Sequence, residues 1–490
     1  MSNRRIAASG FLWNILQTVG ERFFQTLVFF VVARLLQPAA FGLAAMAVAP
    51  AAVCAAVMQG ASQVIVQDKT LTGAFESAAF WFNIITGVVL GLIIVVAARP
   101  VSGLVHAPSM APLMAATGCV PLLAGLGAVP QGIMNRRFEF RMLAIRRTVG
   151  VTVAGLSCVA LAWMGFGAWS LVAQAIMTAA VMSIVALFAQ PVRIFEPFSK
   201  KDIGGVAHQS GLLCGSTALI QGNIRLSDLV VGYFVGPAGA GAFRLARTVI
   251  DLVLSVTFTP LANVLLPIFA RSNEEPERAI NMYLKVVLAS SIVFSAIEIC
   301  VIFGAQSFSE LFLGSAWPTL GWVLILLAPL LPTMCISPSQ PLLIARQRSG
   351  LVLSANAARL LMSTACVAVG SWYLGVNGAA IGYTVCTYLA LIGMILFMRH
   401  EIPALRPAIG LRVLLPQFIA LLVGMGGYRL TLSLGLQPQS VVQSVIALTV
   451  AMTIFGCLCF LLCRREIDIA MDMLPTRIKS RVTRLYANRP

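Results

Sequence analysis

IQGNIRLSDLVVGYFVGPAGAGAFRLAR, residues 220–247, sets Arg225, Asp228, Arg244 and Arg247 inside or beside apolar segments. Ionised groups are costly there unless they face protein or water. The same stretch repeats an earlier one. Shifted by 199 residues, VVARLLQPAAFGLAAMAV (31–48) lies on VVGYFVGPAGAGAFRLAR (230–247). Pro38 falls on Pro237, Gly42 on Gly241, and Val31-Val32 on Val230-Val231. Matched helix breakers at matched spacing, after matched apolar runs, point to an internal duplication.

Working outward, composition sets the class. Hydrophobic residues make up 59% of the 490 and charged residues 10%, and mean hydropathy is +0.92. A soluble globule of this size needs far more charge on its surface. The long apolar runs need lipid. The formal net charge of +17 does not signal nucleic acid. Its residues flank apolar segments or sit in the tail, as the positive-inside rule expects. The 11 cysteines are scattered, and Cys457, Cys459 and Cys463 share one helix without histidine or carboxylate neighbours. His106, His208 and His400 are far apart, so no metal site is read. No G-x-x-x-x-G-K-[ST] loop appears, which argues against direct ATP hydrolysis, and no cofactor is implied. The first apolar run carries Glu21-Arg22 and lacks a cleavage site, unlike a signal peptide.

A lone apolar segment in lipid must satisfy its backbone internally, so each run is read as a helix of about twenty residues. The runs fall at 11–33, 41–66, 76–98, 110–134, 143–164, 168–189, 208–234, 241–268, 285–305, 319–345, 352–372, 378–398, 412–434 and 441–463. That predicts an all-α integral membrane protein with about 14 transmembrane helices. Prolines 329, 332, 338 and 341 predict a kink in the 319–345 segment. The division follows: 1–195 (six helices), a linker at 196–207, 208–400 (six more), 401–463 (two further helices) and a basic tail at 464–490.

Basic residues fix the orientation. With the N-terminus in the cytoplasm, that side receives Arg4, Arg5, Lys69, Arg136, Arg137, Arg141, Arg146, Arg147, Arg193, Lys200 and Lys201. It also receives Arg271, Arg278, Lys285, Arg346, Arg348, Arg399, Arg406 and Arg412, and seven more in the tail, 26 of the 34. The expectation is both termini inside. The alternating basic and apolar tail suits anionic membrane lipids, or serves only to fix topology.

The intramembrane charges are Glu21, Arg22, Arg225, Asp228, Arg244, Arg247, Asp251, Glu298 and Arg359. Two readings compete. Arg225–Asp228 and Arg247–Asp251 have the i,i+3 and i,i+4 spacing of structural salt bridges. That spacing leaves Arg244 and Arg359 uncovered, and five arginines face four carboxylates. The surplus suits an anionic substrate, phosphate above all, because guanidinium forks match its oxygens. Arg225, Arg244 and Arg359 are the leading substrate-binding residues, with Arg247 and Arg22 behind them. Asp228, Asp251, Glu298 and Glu21 are ion-coupling candidates. Gln59, Gln63 and Gln67 recur every four residues and line one helix face. Gln63 and its neighbours bind sugar hydroxyls or hold helices together.

Several stretches carry a resemblance. They are Ala33-Arg34-Leu35-Leu36-Gln37-Pro38 with Phe41-Gly42, then Gly60 and Gln67, Ala79-Phe80-Trp81-Phe82-Asn83, Arg136-Arg137-Phe138-Glu139-Phe140, and Gly165-Phe166-Gly167-Ala168-Trp169-Ser170-Leu171-Val172. In order and spacing the chain resembles the polysaccharide flippases of the multidrug/oligosaccharidyl-lipid/polysaccharide exporter superfamily, in the colanic-acid and succinoglycan branch. The resemblance implies two pseudo-symmetric lobes around a central cationic cavity. It also implies a bacterial cytoplasmic-membrane protein, not an enzyme, that moves an undecaprenyl-diphosphate-linked oligosaccharide from the inner to the outer leaflet. A polysaccharide polymerase and export machinery are the implied partners. A cation-coupled drug or metabolite antiporter, a lipid II flippase and a membrane polysaccharide polymerase are the rival readings.

Overall fold

The computed structural model describes residues 20–21, 23–67, 72–193, 195–257, 276–336, 349–401, 407–433 and 441–462. Arg22, Lys69, residues 1–19 and the tail 464–490, on which part of the sequence reading rests, lie outside the described residues. So do Arg271, Arg346, Arg348 and Arg406.

All regular elements among the described residues are helical. In chain order they are α1 (Phe23–Leu35), α2 (Pro38–Gln67), α3 (Gly73–Leu104), α4 (Met110–Ala116), α5 (Cys119–Arg136), α6 (Phe140–Trp163), α7 (Ala168–Ala189), α8 (Lys200–Val235) and α9 (Pro237–Thr257). Then come α10 (Pro276–Leu313), α11 (Leu320–Leu327), α12 (Leu330–Thr333), α13 (Ser349–Glu401), α14 (Pro407–Leu421), α15 (Gly427–Ser433) and α16 (Val441–Leu462). Nine helical stretches among the described residues are long and apolar enough to cross a membrane by length and composition. The chain is therefore an all-α, multi-pass membrane protein.

Local chemistry explains several boundaries. Thr72 caps α3, its Oγ1 accepting from the Phe75 amide at 3.3 Å, with Glu76 in the first turn. The segment read as one helix at 110–134 is divided at Thr117-Gly118. There the Thr117 hydroxyl donates within hydrogen-bond reach of the Met114 carbonyl (2.7 Å) and the Ala47 carbonyl (3.3 Å). The proline-rich 319–345 run is interrupted as expected: α11 ends at Leu327, α12 follows Pro329, and a 3-10 turn takes Met334–Ile336. The run α13 is two helices joined across Leu374 and Gly375, whose φ of 60° is a glycine conformation. The Gly370 and Gly378 backbones pack directly on each other across that break. α8 begins at Lys200, inside the stretch read as a linker.

Residue size is sorted for lipid. On α3 the buried positions include Gly87, Gly91, Asn83 and Ala98, while Ile85, Leu92, Ile93 and Val96 are exposed, Val96 by 75%. Small residues let backbones approach where helices meet, and large aliphatic ones face outward. This inverts the pattern of a soluble helix.

The described residues form two compact units. The first draws on Met1–Leu245, Phe312–Trp317 and Val367–Ala379, and the second on Ala246–Leu311, Pro318–Cys366 and Ala380–Pro490. In the first, α2 packs on α8 and α5, α5 on α3 and α7, and α6 on α7. Both members of the sequence repeat are helix starts: α2 opens at Pro38 and α9 at Pro237, where proline's missing N–H costs nothing. The two starts meet. A Cβ on Gly42 would strike the Pro237 carbonyl, and one on Gly241 would strike the Pro38 carbonyl. Contact i-to-j mirrored by j-to-i is the signature of a local two-fold. Trp317 secures this end: its Nε1–H donates to the Ala33 carbonyl at 3.0 Å, and Phe41 meets its ring edge-on at 5.8 Å.

In the second unit hydroxyls tie helices together. Ser291 donates to the Val413 carbonyl (2.8 Å), Thr384 to the Leu326 carbonyl (2.9 Å), and Ser307 pairs with Ser444 (2.8 Å). Each such bond is worth about 0.6 kcal/mol on average in a membrane bundle. Tyr428 packs edge-on against Phe303 and Trp322.

Candidate functional site

The embedded charges fall in both units. In the first, Asp228 on α8 is 0% exposed, and Arg244 Nη1 on α9 reaches its Oδ2 at 3.4 Å. Sequence spacing left Arg244 uncovered and offered Asp228 to Arg225. The structure brings Arg244 of the neighbouring helix to Asp228. The Gly236-Pro237 turn, with Gly236 at φ 88°, joins α8 to α9, and a separation of sixteen residues becomes a contact. Arg225 is half-buried on α8.

Glu21 is also held. Its Oε1 accepts from Arg147 Nε at 2.8 Å and from Gln25 Nε2 at 3.1 Å, joining the start of the first helical stretch to α6. Arg22 lies outside the described residues. Gln63 is exposed, and the side chains of Gln59 and Gln67 lie outside the description. Three further arginines tie other helices together. Arg136 donates to the Ile65 carbonyl (3.2 Å), Arg137 to Gln190 Oε1 (3.2 Å), and Arg146 to the Met182 carbonyl (2.8 Å). Sequence reading placed Arg146 among residues that only set orientation; it is buried, with 6% exposure.

In the second unit Arg247 is buried with its guanidinium carbon 4.5 Å from the centre of the Tyr383 ring, a cation–π arrangement. Asp251 is exposed, Arg359 is half-buried on α13, and Glu298 on α10 is fully buried. Sequence reasoning missed Tyr383, because an isolated tyrosine in an apolar run carries no periodic signal. No group of three or more histidine, cysteine or acidic residues suited to a metal occurs among the described residues.

A helical, multi-pass bundle with paired and clustered charges at bilayer depth belongs to the membrane-transport class. Its fold is shared with solved structures. It matches the lipid II flippase MurJ in an inward closed conformation with a TM-score of 0.72, 13% identity, and coverage of 93% of this chain and 100% of that one. It matches the inward-facing form of a multidrug resistance MATE family transporter of the MOP superfamily with a TM-score of 0.66, 16% identity, and coverage of 78% and 95%. The chain belongs to the polysaccharide biosynthesis protein family, whose profile matches residues 31–320. Among its relatives is the succinoglycan biosynthesis transport protein ExoT of Rhizobium meliloti (strain 1021), 25% identical over 94% of this chain and 95% of that protein. Another is the lipopolysaccharide biosynthesis protein WzxC of Escherichia coli (strain K12), 23% identical over 81% and 83%.

Proposed function

We infer that this protein is a flippase that moves lipid-linked oligosaccharide units across the bacterial inner membrane for exopolysaccharide or lipopolysaccharide synthesis. Similarity running nearly end to end with a succinoglycan transport protein carries this reading. The embedded arginines supply its chemistry. An oligosaccharide headgroup on a polyprenyl diphosphate brings negative charge and acceptor oxygens, which guanidinium donors bind while water solvates the sugar. Arg225 and Arg244 offer such donors from the first unit, and Arg359 and Arg247 from the second. Distributed arginines bind without forming one deep trap, which suits a carrier that must release its load.

The finer topology is fourteen crossings with both termini in the cytoplasm. The nine long apolar stretches become ten when α13 is divided at Leu374-Gly375. The shorter apolar Phe23–Leu35 and Leu320–Thr333 add two, and the polar α8 and α9 complete the set. The polyprenyl carrier, a polymerase partner and contact of the tail with anionic lipids belong to the same proposal.

The test is transport by purified protein in liposomes, using a fluorescent polyprenyl-diphosphate oligosaccharide and, in parallel, lipid II. Movement of the oligosaccharide lipid without change in chain length is expected. Elongation would make the protein a polymerase, and preference for lipid II would change the substrate. Arg244 needs a paired variant, because Arg244→Gln alone removes an ion-pair partner of buried Asp228, a loss of about 3–5 kcal/mol for a buried pair. Asp228→Asn with Arg244→Gln restores abundance; transport stays lost if Arg244 touches substrate.

A further inference from the structure

Two non-glycine residues among the described ones have a positive φ, His106 (54°) and Phe138 (57°). Phe138 closes α5 in a Schellman turn: its own N–H donates to the Asn135 carbonyl (3.2 Å) and the Glu139 N–H to the Met134 carbonyl (3.0 Å). Such a turn needs a left-handed residue just past the helix, and a Cβ is costly there. α6 ends in the same kind of turn and uses Gly165, at φ 85°. α5 uses a phenylalanine, and burial does not repay it: Phe138 is 74% exposed. Its ring meets that of Phe140 edge-on at 5.9 Å, and Phe140 is exposed as well. Backbone strain kept for the sake of an exposed ring points to a use outside the fold.

The same turn is basic. Residues 136–141 read RRFEFR, three arginines to one acid. Arg137 and Arg141 are exposed. Arg137 is steered toward the end of α7 by its bond to Gln190. The stretch after Gln190 continues this surface. Phe195 is exposed, and Glu196, which pairs with Arg193 at 3.4 Å, rests against Gly73 at the start of α3. The α5–α6 turn, the end of α7 and the start of α3 therefore share one end of the first unit. In the topology proposed above this end faces the cytoplasm, on the leaflet whose anionic headgroups attract basic side chains. Water rewards none of the exposed rings, whereas the boundary between headgroups and acyl chains takes up phenylalanine beside arginine.

We propose that Arg137, Phe138 and Arg141 form a docking surface for an anionic phospholipid of the adjoining leaflet. The Phe138 ring enters the acyl boundary, and the two guanidinium groups donate charge-assisted hydrogen bonds to the phosphate oxygens. Glu139 lies between them and leaves the turn net positive. A neutral headgroup would satisfy the ring alone; an anionic one satisfies ring and charge together. The surface does not depend on the flippase reading, and its test reads lipid binding without measuring transport or sidedness.

The experiment is native mass spectrometry of the purified full-length protein in a neutral detergent, titrated with phosphatidylglycerol or with phosphatidylcholine of the same acyl chains. The first phosphatidylglycerol should bind about tenfold more tightly than the first phosphatidylcholine, or better. Arg137→Gln and Arg141→Gln should each weaken phosphatidylglycerol about fivefold and leave phosphatidylcholine unchanged. Arg99→Gln, an equal loss of charge near the other end of α3, should change neither. Phe138→Gly separates strain from binding. It should weaken phosphatidylglycerol about fivefold yet raise Tm in detergent by about 1–3 °C, because glycine takes the left-handed turn freely. A fall in Tm would make the ring a packing element and overturn the proposal. So would equal affinity for the two lipids, unchanged binding in both arginine variants, or a loss in Arg99→Gln that matches theirs. If Phe138→Gly does not accumulate, the arginine variants decide.

Discussion

Replacing Gly42 by alanine tests the helix crossing where the sequence repeat meets itself. The added Cβ would lie 2.7 Å from the Pro237 carbonyl carbon and 2.8 Å from the Gly241 nitrogen, beside the still closer Pro237 oxygen. At Gly241 the corresponding approaches are 3.0 Å to the Gly42 nitrogen and 3.1 Å to the Pro38 carbonyl carbon, again with the carbonyl oxygen nearer. The obstructing atoms are backbone, so no side chain can turn aside. Ordinary contact requires the α2 and α9 starts to part by roughly half an ångström or more, and overpacking of this kind costs about 1–3 kcal/mol. Parting the helices for Gly42→Ala also opens the space that Gly241→Ala needs. The double variant should therefore cost less than the sum of the singles, with a coupling of about 0.5–3 kcal/mol. Thermal unfolding of the four proteins in one detergent reads the cycle. Full additivity, or a neutral Gly42→Ala, would show that the two glycines do not share one crossing.

Other expectations follow from single contacts. Trp317→Phe keeps the ring packing on Phe41 but removes the donor to the Ala33 carbonyl, and should cost about 1–3 kcal/mol because a buried acceptor is left unsatisfied; an unchanged Tm would remove that bond from the account. Arg225→Gln and Arg359→Gln should each reach normal abundance and lose transport at least tenfold, with lysine restoring only part because it keeps charge without the fork. Wild-type rates in both would make these residues structural. Single cysteines at Lys69, Arg137, Lys200 and Arg348, in a cysteine-free background, should resist an impermeant thiol reagent in intact cells, while positions 101, 236 and 310 label. Labelling of both sets from outside would end the fourteen-crossing topology.

The helices were legible wherever sequence distance and structural cause coincide. Pro38 and Pro237 mark helix starts because proline suits the first turn, and Pro329 interrupts a helix because it lacks a donor. The gap left between the 352–372 and 378–398 runs falls on the Leu374-Gly375 break. The charge partners were not legible, because neighbour rules along a helix reach only three or four residues. Asp228 meets Arg244 sixteen residues away, and Glu21 meets Arg147 from another helix. Trp317 bonds Ala33 across 284 residues. Glu298 was legible as a costly residue inside an apolar run.

The mirrored contact of Gly42 with Pro237 and Gly241 with Pro38 also bears on ancestry. If the two segments descend from one, the surface now joining them once met a second molecule of its own kind. In such a homodimer every change is felt twice, and neither partner can specialise alone. Fusion into one chain removes that restraint. The paired positions have since diverged: Arg34 now stands against Tyr233, and Gln37 against Gly236. Besides apolar positions such as Val31-Val32, identity survives at Pro38 and Gly42, where backbone rests on backbone and a side chain has no room to change.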